Sequence, residues 1–143
     1  MSTEENKMIV RRLMDEFFAR QHTAVWNELV QPEVVIHGVM GTLHGSEEAK
    51  SFYARMHAIF QPWEFTIQDS IAERDKVVLH ITETGTMVGS LMGMPATRKT
   101  FLIEAVQIFR LVDGKIAEMW GFRDTGSQMR QLGLLPATAL ATR

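Results

Sequence analysis

The dipeptide Asp113-Gly114 stands between two long runs rich in β-branched and aromatic residues, 99–112 and 115–123, and it constrains the fold more than any other feature of the chain. A two-residue type I′ turn needs positive φ at both central positions, which Asp-Gly adopts at little cost, so the two runs return on each other as an antiparallel hairpin. Without a bulge, the turn sets a register in which Gln107 faces Trp120, Ala105 faces Phe122, Ile103 faces Asp124 and Glu104 faces Arg123. Opposed residues share a sheet face. Trp120, Phe122 and Asp124 then line one side with Ile103, Ala105 and Gln107, and Glu104 pairs with Arg123 on the other. A single bulge between them would invert the assignment beyond it.

Upstream of this hairpin the hydrophobic period is that of helices. Val10, Leu13, Met14, Phe17 and Phe18 fall at helical spacing over 4–20, and Ser2 with Glu5 forms the S-x-x-E pattern of a capping box. A short helix is predicted from Thr23 as N-cap, turning Val25, Trp26 and Leu29 inward and ending before Pro32. Val34 to Ile36 read as a brief strand ending at His37-Gly38, followed by a flexible segment from Gly41 to Gly45. Ser46 is the predicted cap of a helix with Ala49, Phe52, Tyr53, Met56, Ile59 and Phe60 on one face, stopped by Pro62. From there the period becomes two: Phe65, Ile67 and Ile71 alternate with polar residues, and 76–87 adds a further β run. Helices followed by a long-stranded meander predict an α+β fold, a curved, mainly antiparallel sheet covered on one face by the N-terminal helices. At 143 residues without an internal repeat or linker, one domain over 1–143 is expected, with a core of about 6–134 and a loose tail over 136–143.

Composition excludes several classes of function. The absence of Cys removes disulfides, thiolate nucleophiles and cysteine-based metal centres. His22, His44 and His57 stand at no ligand spacing, so no metal site is predicted. A net charge of -2 with no basic stripe argues against nucleic acid. No apolar run approaches the roughly 18 residues of a membrane span, and an acidic N-terminus is unlike a signal peptide, so a cytoplasmic location is the default expectation.

Candidate chemistry therefore rests on His and carboxylates. Asp124 ends the run Trp120-Gly121-Phe122-Arg123-Asp124; between aromatics it would be desolvated and its pKa raised toward the range useful for proton transfer, whereas its plain alternative is a cap for the segment 125–132. His37, at a strand end before glycine, could reach a pocket mouth as donor or base, or be a core-edge histidine satisfied by backbone. His80 shares a face with Thr82 and Thr84, which is either the lining of a wet cavity or an ordinary solvent-facing stripe. The ten methionines, Met14, Met56 and Met119 among them, could line a pocket for a flat ligand or fill an irregular core.

The pattern D-G-K-I-x-E-x-W-x-x-x-D over 113–124, continued by Gln131-Leu132-Gly133, resembles the C-terminal signature of the SnoaL-like polyketide cyclases in the nuclear-transport-factor-2-like superfamily. The turn Gly93-Met94-Pro95-Ala96-Thr97-Arg98-Lys99 and the strand ending at His37-Gly38 agree with that family in order, from about residue 6 to 134. The resemblance implies a cone-shaped barrel whose concave face the helices cover, and cofactor-independent acid/base catalysis such as aldol cyclisation of a polyketide. Carried over by position, it implies Asp124 as general acid/base, with His37 or His80 assisting. Met14, Phe18, Phe52, Gln107, Trp120 and Phe122 would shape the cavity for a hydrophobic small molecule. Met14 stands where relatives often carry tyrosine, and His80 where many carry arginine. A homodimer is the expected assembly. Alternatives on the same fold are a non-catalytic small-molecule-binding protein and a related hydrolase, isomerase or hydroxylase-like enzyme.

Overall fold

The computed structural model describes residues 1–135, so the expected tail over 136–143 lies outside the described residues. Helix α1 (Thr3–Arg12) opens on the predicted capping box: the Glu5 backbone N–H donates to Ser2 Oγ, and Ser2 N–H donates to Glu5 Oε1, both at 3.0 Å. The helix then widens into a π-helical segment, Leu13–Phe18, with Ala19 N–H bonded five residues back to the Met14 carbonyl at 3.0 Å. Leu13, Met14, Phe17 and Phe18 are all buried there. Helix α2 (Thr23–Leu29) turns Val25, Trp26 and Leu29 inward, but His22 occupies the N-cap position predicted for Thr23 and makes no side-chain cap.

Strand β1 (Val30–Gly38) begins immediately after α2, earlier than the predicted Val34. The segment expected to be flexible is strand β2 (Gly41–His44), paired antiparallel with β1. Helix α3 spans Ser46–Ile59 with Gly45 at its N-cap. Ser46 does not cap; its hydroxyl accepts from Trp26 Nε1 at 3.1 Å and donates to the Gln31 carbonyl at 2.9 Å, tying α3 to α2 and β1.

Strands β3 (Phe60–Glu73), β4 (Lys76–Met87), β5 (Thr100–Val112) and β6 (Lys115–Arg123) form the predicted meander, and α4 (Thr125–Gln131) follows. One open sheet of six strands has the order β2-β1-β6-β5-β4-β3, antiparallel except for β1 beside β6. The helices pack on the face that presents Val77, Leu79 and Ile81 of β4 and Phe109 of β5, whose apolar side chains close the core around Trp26 and Phe17. His80, Thr82 and Thr84 alternate onto the opposite, outer face. No helix among the described residues is long and apolar enough to cross a membrane.

Bulges change which residues face the core. The Asp113-Gly114 turn forms with both φ positive, at 50° and 79°, and Val112 pairs with Lys115 and Leu111 with Ile116 as predicted. The next pair, however, is Arg110 with Glu118, which leaves Ala117 as an extra residue on β6. Beyond it the predicted register is corrected by one: Gln107 faces Gly121, Ile108 faces Trp120, Val106 faces Phe122 and Ala105 faces Arg123. Phe122 therefore points outward and is 58% exposed, while Arg123 turns inward and does not meet Glu104. A second bulge between Ile67 and Asp69 of β3 leaves Phe65 and Ile67 against the core but Ile71 exposed.

Candidate active site

The π-helical segment Leu13–Phe18, helix α3, the β1–β2 hairpin and the inner faces of β3 to β6 enclose a cavity of about 260 Å³. Its walls are aromatic. Phe18 meets Tyr53 edge-on at 4.8 Å, Phe65 lies 5.0 Å from Trp63, and Phe52 flanks Tyr53 at 5.4 Å. Such aromatic contacts fix ring positions as well as burying area. Gly38, Val39, Met40 and Gly41 at the hairpin tip bound the mouth.

Inside this apolar enclosure sits one ion pair. Glu83 is in phase with Leu79 and Ile81 on the core face of β4 and is only 2% exposed. Arg123 Nε donates to Glu83 Oε1 at 3.0 Å and Arg123 Nη2 to Oε2 at 2.6 Å, and Trp63 Nε1 adds a third donor to Oε2 at 2.7 Å. Both charged residues line the cavity. Arg123 retains further N–H donors beyond the two that Glu83 takes. Burial pushes the Tyr53 hydroxyl far above its ordinary pKa, with Arg123 opposing and Glu83 reinforcing the shift, so it remains a protonated donor. Gln107, opposite Gly121, also lines the cavity, and its Oε1 is buried without a partner.

The predicted site residues are divided by this geometry. Phe18, Phe52 and Gln107 line the cavity, and Trp120 and His37 border it. Met14 is packed in the core and is not part of the wall. Phe122 lies on the outer sheet face, because of the Ala117 bulge. Asp124 is exposed and caps α4, its Oδ1 accepting from Ser127 N–H at 3.2 Å; the strand end carries it past the cavity, so the predicted acid at the rim is corrected to a helix cap. His80 is corrected likewise: its Nε2 lies 2.6 Å from Glu104 Oε1 on the outer face, which is where Glu104 finds its partner instead of Arg123.

His37 stacks on Trp120 with rings 5.3 Å apart, and its Nε2 lies 2.7 Å from Glu118 Oε2 at the end of the sheet beside the mouth. Glu118 also accepts from Arg110 Nε at 3.1 Å. The hydrogen bond from His37, with Arg110 adding to it against some burial, holds the Glu118 carboxyl below the usual carboxylate range. Among the described residues, no three His, Asp or Glu side chains converge as a metal-ligand set would require.

Glu83, Arg123, Trp63 and Tyr53 are not among the site residues expected from the sequence. A signal for Glu83 exists: it is the one charged residue in phase with Val77, Leu79, Ile81 and Met87, and a lone carboxylate on an apolar strand face needs a buried partner. Arg123 carried no comparable signal, since the bulge decides its face.

Comparison with known proteins identifies the family and the fold. The family described as SnoaL-like polyketide cyclase matches residues 8–132. The aklanonic acid methyl ester cyclase of Streptomyces peucetius is 45% identical over 49 residues, a stretch that spans 34% of this chain and 34% of that enzyme's length. The nogalonic acid methyl ester cyclase of Streptomyces nogalater is also 45% identical over 49 residues, 34% of this chain and 37% of its own length. Among solved structures, a protein of Jannaschia sp. CCS1 assigned to the SnoaL-like polyketide cyclases superposes with a TM-score of 0.87 at 28% identity, covering 94% of this chain and 95% of its own.

Proposed function

The chain belongs to the SnoaL-like polyketide cyclase family, and from that premise we propose that it is a cofactor-independent acid/base enzyme that closes a ring in a polyketide-like substrate by intramolecular aldol addition. The observation that carries this reading is the Glu83–Arg123 ion pair inside a largely apolar cavity. Such a pair is a poor source of stability, because desolvating two charges offsets most of their attraction. Its value lies in aiming charge at a reacting centre from which water is largely excluded.

In this reading a ligand carbonyl docks on the spare donors of Arg123 and on the Tyr53 hydroxyl. Glu83 removes the proton α to that carbonyl, and the negative charge that develops on the enolate oxygen is held by Arg123 and Tyr53. The enolate carbon attacks a second carbonyl of the same molecule, forming the new C–C bond. The proton held by Glu83 then passes to the resulting alkoxide, so the carboxylate is regenerated and no co-reactant is consumed. The three hydrogen bonds on Glu83 hold its carboxylate in a fixed orientation within the cavity. A volume of about 260 Å³ is slightly below the roughly 300–1,000 Å³ of ligand pockets. The reacting end of the substrate fills the enclosed part between Phe18 and Phe52, and the remainder extends past Met40, His37 and Trp120 at the mouth. The same reading makes the protein a cytoplasmic homodimer, with Leu102, Val106 and Phe122 on the outer sheet face available to a second copy.

Aklanonic acid methyl ester and nogalonic acid methyl ester, the compounds for which the curated relatives are named, are the first substrates to assay. Aldol cyclisation leaves the mass unchanged, so the expected product is a new chromatographic peak of identical mass. Glu83→Gln should lower kcat about 10²–10⁴-fold. A folded Glu83→Gln variant that turns over at the parental rate would remove the proposed role.

A further inference from the structure

Two arginines line the cavity, and they differ in what their charge meets. Arg123 gives two N–H groups to the Glu83 carboxylate, so that pair adds no net charge to the interior. Arg55 is exposed, which places it where the cavity opens to solvent, in a rim it shares with Val39 and Met40. Its guanidinium carbon lies 5.9 Å from the centroid of the Phe52 ring, and Nη1 donates to Ser51 Oγ at 3.1 Å. These contacts hold the group beside a wall residue and leave its Nε–Nη2 edge without an acceptor among the described residues. Acids three or four residues away pair with helical cations, and Lys7, Arg12 and Lys50 meet Glu4, Glu16 and Glu47 in this way. The same positions around Arg55 hold Ser51, Phe52, Ala58 and Ile59, and among the described residues no carboxylate pairs with it. Glu118, beside the mouth, is already matched by Arg110 and His37. The cavity therefore opens past one uncompensated positive charge.

We propose that Arg55 determines specificity by selecting cavity ligands whose outer end carries a carboxylate, the two oxygens meeting the Nε–Nη2 edge. A planar guanidinium matches a carboxylate with two parallel hydrogen bonds, and the Phe52 ring covers one face of this guanidinium. An ester offers similar oxygens without the charge, so it gains only the weaker part of the interaction. The curated relatives are named for methyl esters, whereas this rim fits the free acid. The reaction that supplies the substrate must then leave a carboxylate, as thioester hydrolysis does, and any esterification follows ring closure. The inference rests on the reading that a polyketide-like ketone fills the cavity, and it deepens that reading by naming the group at the ketone's outer end.

The test is equilibrium binding of anthraquinone-2-carboxylic acid and of its methyl ester, read by quenching of tryptophan fluorescence, since Trp63 and Trp120 line the cavity. Both are planar ketones without an enolisable proton, so neither is consumed. At about 0.02 M salt the acid should bind about tenfold more tightly than the ester, and at about 0.5 M salt that preference should shrink at least about threefold as the charge is screened. Arg55→Gln should remove the preference, the acid then binding no more tightly than the ester. Arg55→Lys, which keeps the charge and loses the fork, should retain part of it. Equal affinity of the parent for acid and ester at low salt, a preference that survives in Arg55→Gln, or failure of both compounds to bind would overturn the proposal. Turnover plays no part in these readouts. A chain that prefers the acid as expected and never cyclises a substrate sinks the catalytic reading and leaves the Arg55 selection standing; a chain that cyclises but binds acid and ester equally does the reverse.

Discussion

Replacing Glu83 with leucine tests whether the buried ion pair is kept for chemistry or for stability. The carboxylate is 2% exposed and accepts three hydrogen bonds, two from Arg123 and one from Trp63. Removing it leaves the Arg123 charge facing an apolar enclosure and the Trp63 N–H without an acceptor. Breaking a buried pair from one side costs about 3–5 kcal/mol. The Arg123 side chain keeps 22% of its surface accessible, so water relieves part of its burden and the lower half of that range, about 3–4 kcal/mol, applies. For a chain of this length that lowers Tm by about 10–15 °C. The double variant Glu83→Leu with Arg123→Met removes both charges and fills their space with apolar atoms, which is often neutral or stabilising; it should return to within about 1 kcal/mol of the parent and remain inactive. Urea denaturation at pH 7, with calorimetry as the second probe, measures both. A Glu83→Leu variant within about 1 kcal/mol of the parent, or a double variant no more stable than the single, would refute the reasoning.

Asp124→Ala should lower stability by about 1 kcal/mol through loss of the α4 cap, while affinity for cavity ligands stays at the parental value; a large loss of affinity would return Asp124 to the site. His57 is 8% exposed beside Trp63, with its Nε2 unpartnered, and burial holds its pKa below the ordinary 6.5. An imidazole depressed in the folded state stabilises fully above the unfolded value of 6.5 and loses that contribution as pH falls through the folded pKa. Stability measured by denaturant between pH 7.5 and 5 should therefore decline less steeply in His57→Phe than in the parent, and equal slopes would contradict the assignment.

The single charged residue on the apolar face of β4 shows why the candidate site was only partly legible. Glu83 could be recognised from its phase alone, whereas its partner could not. Arg123 reaches it because Ala117 is an extra residue on β6, and a one-residue slip exchanges every side chain beyond it between the two faces. The same slip sent Phe122 outward and left Asp124 past the sheet end as a cap. Nothing local distinguishes a bulged Ile116-Ala117 from an unbulged one, since both are small or branched apolar residues suited to a strand. Gln68 on β3 is a second case, and it turns Ile71 from the core to solvent.

By itself the amino-acid order determined what local chemistry controls. The capping box at Ser2 and Glu5, the periods of the helices, the limits of β4, β5 and β6 and the turn at Asp113-Gly114 each follow from a few neighbouring residues, and together they specify an α+β fold with helices on one sheet face. Only the tertiary structure decided which residues meet. Whether His80 faces water, whether His37 finds Glu118, and whether Phe18 and Trp63 close on the same hollow depend on sheet register and on how helices settle over it. Those are sums over contacts distant in sequence, and one inserted residue in a strand is enough to change them.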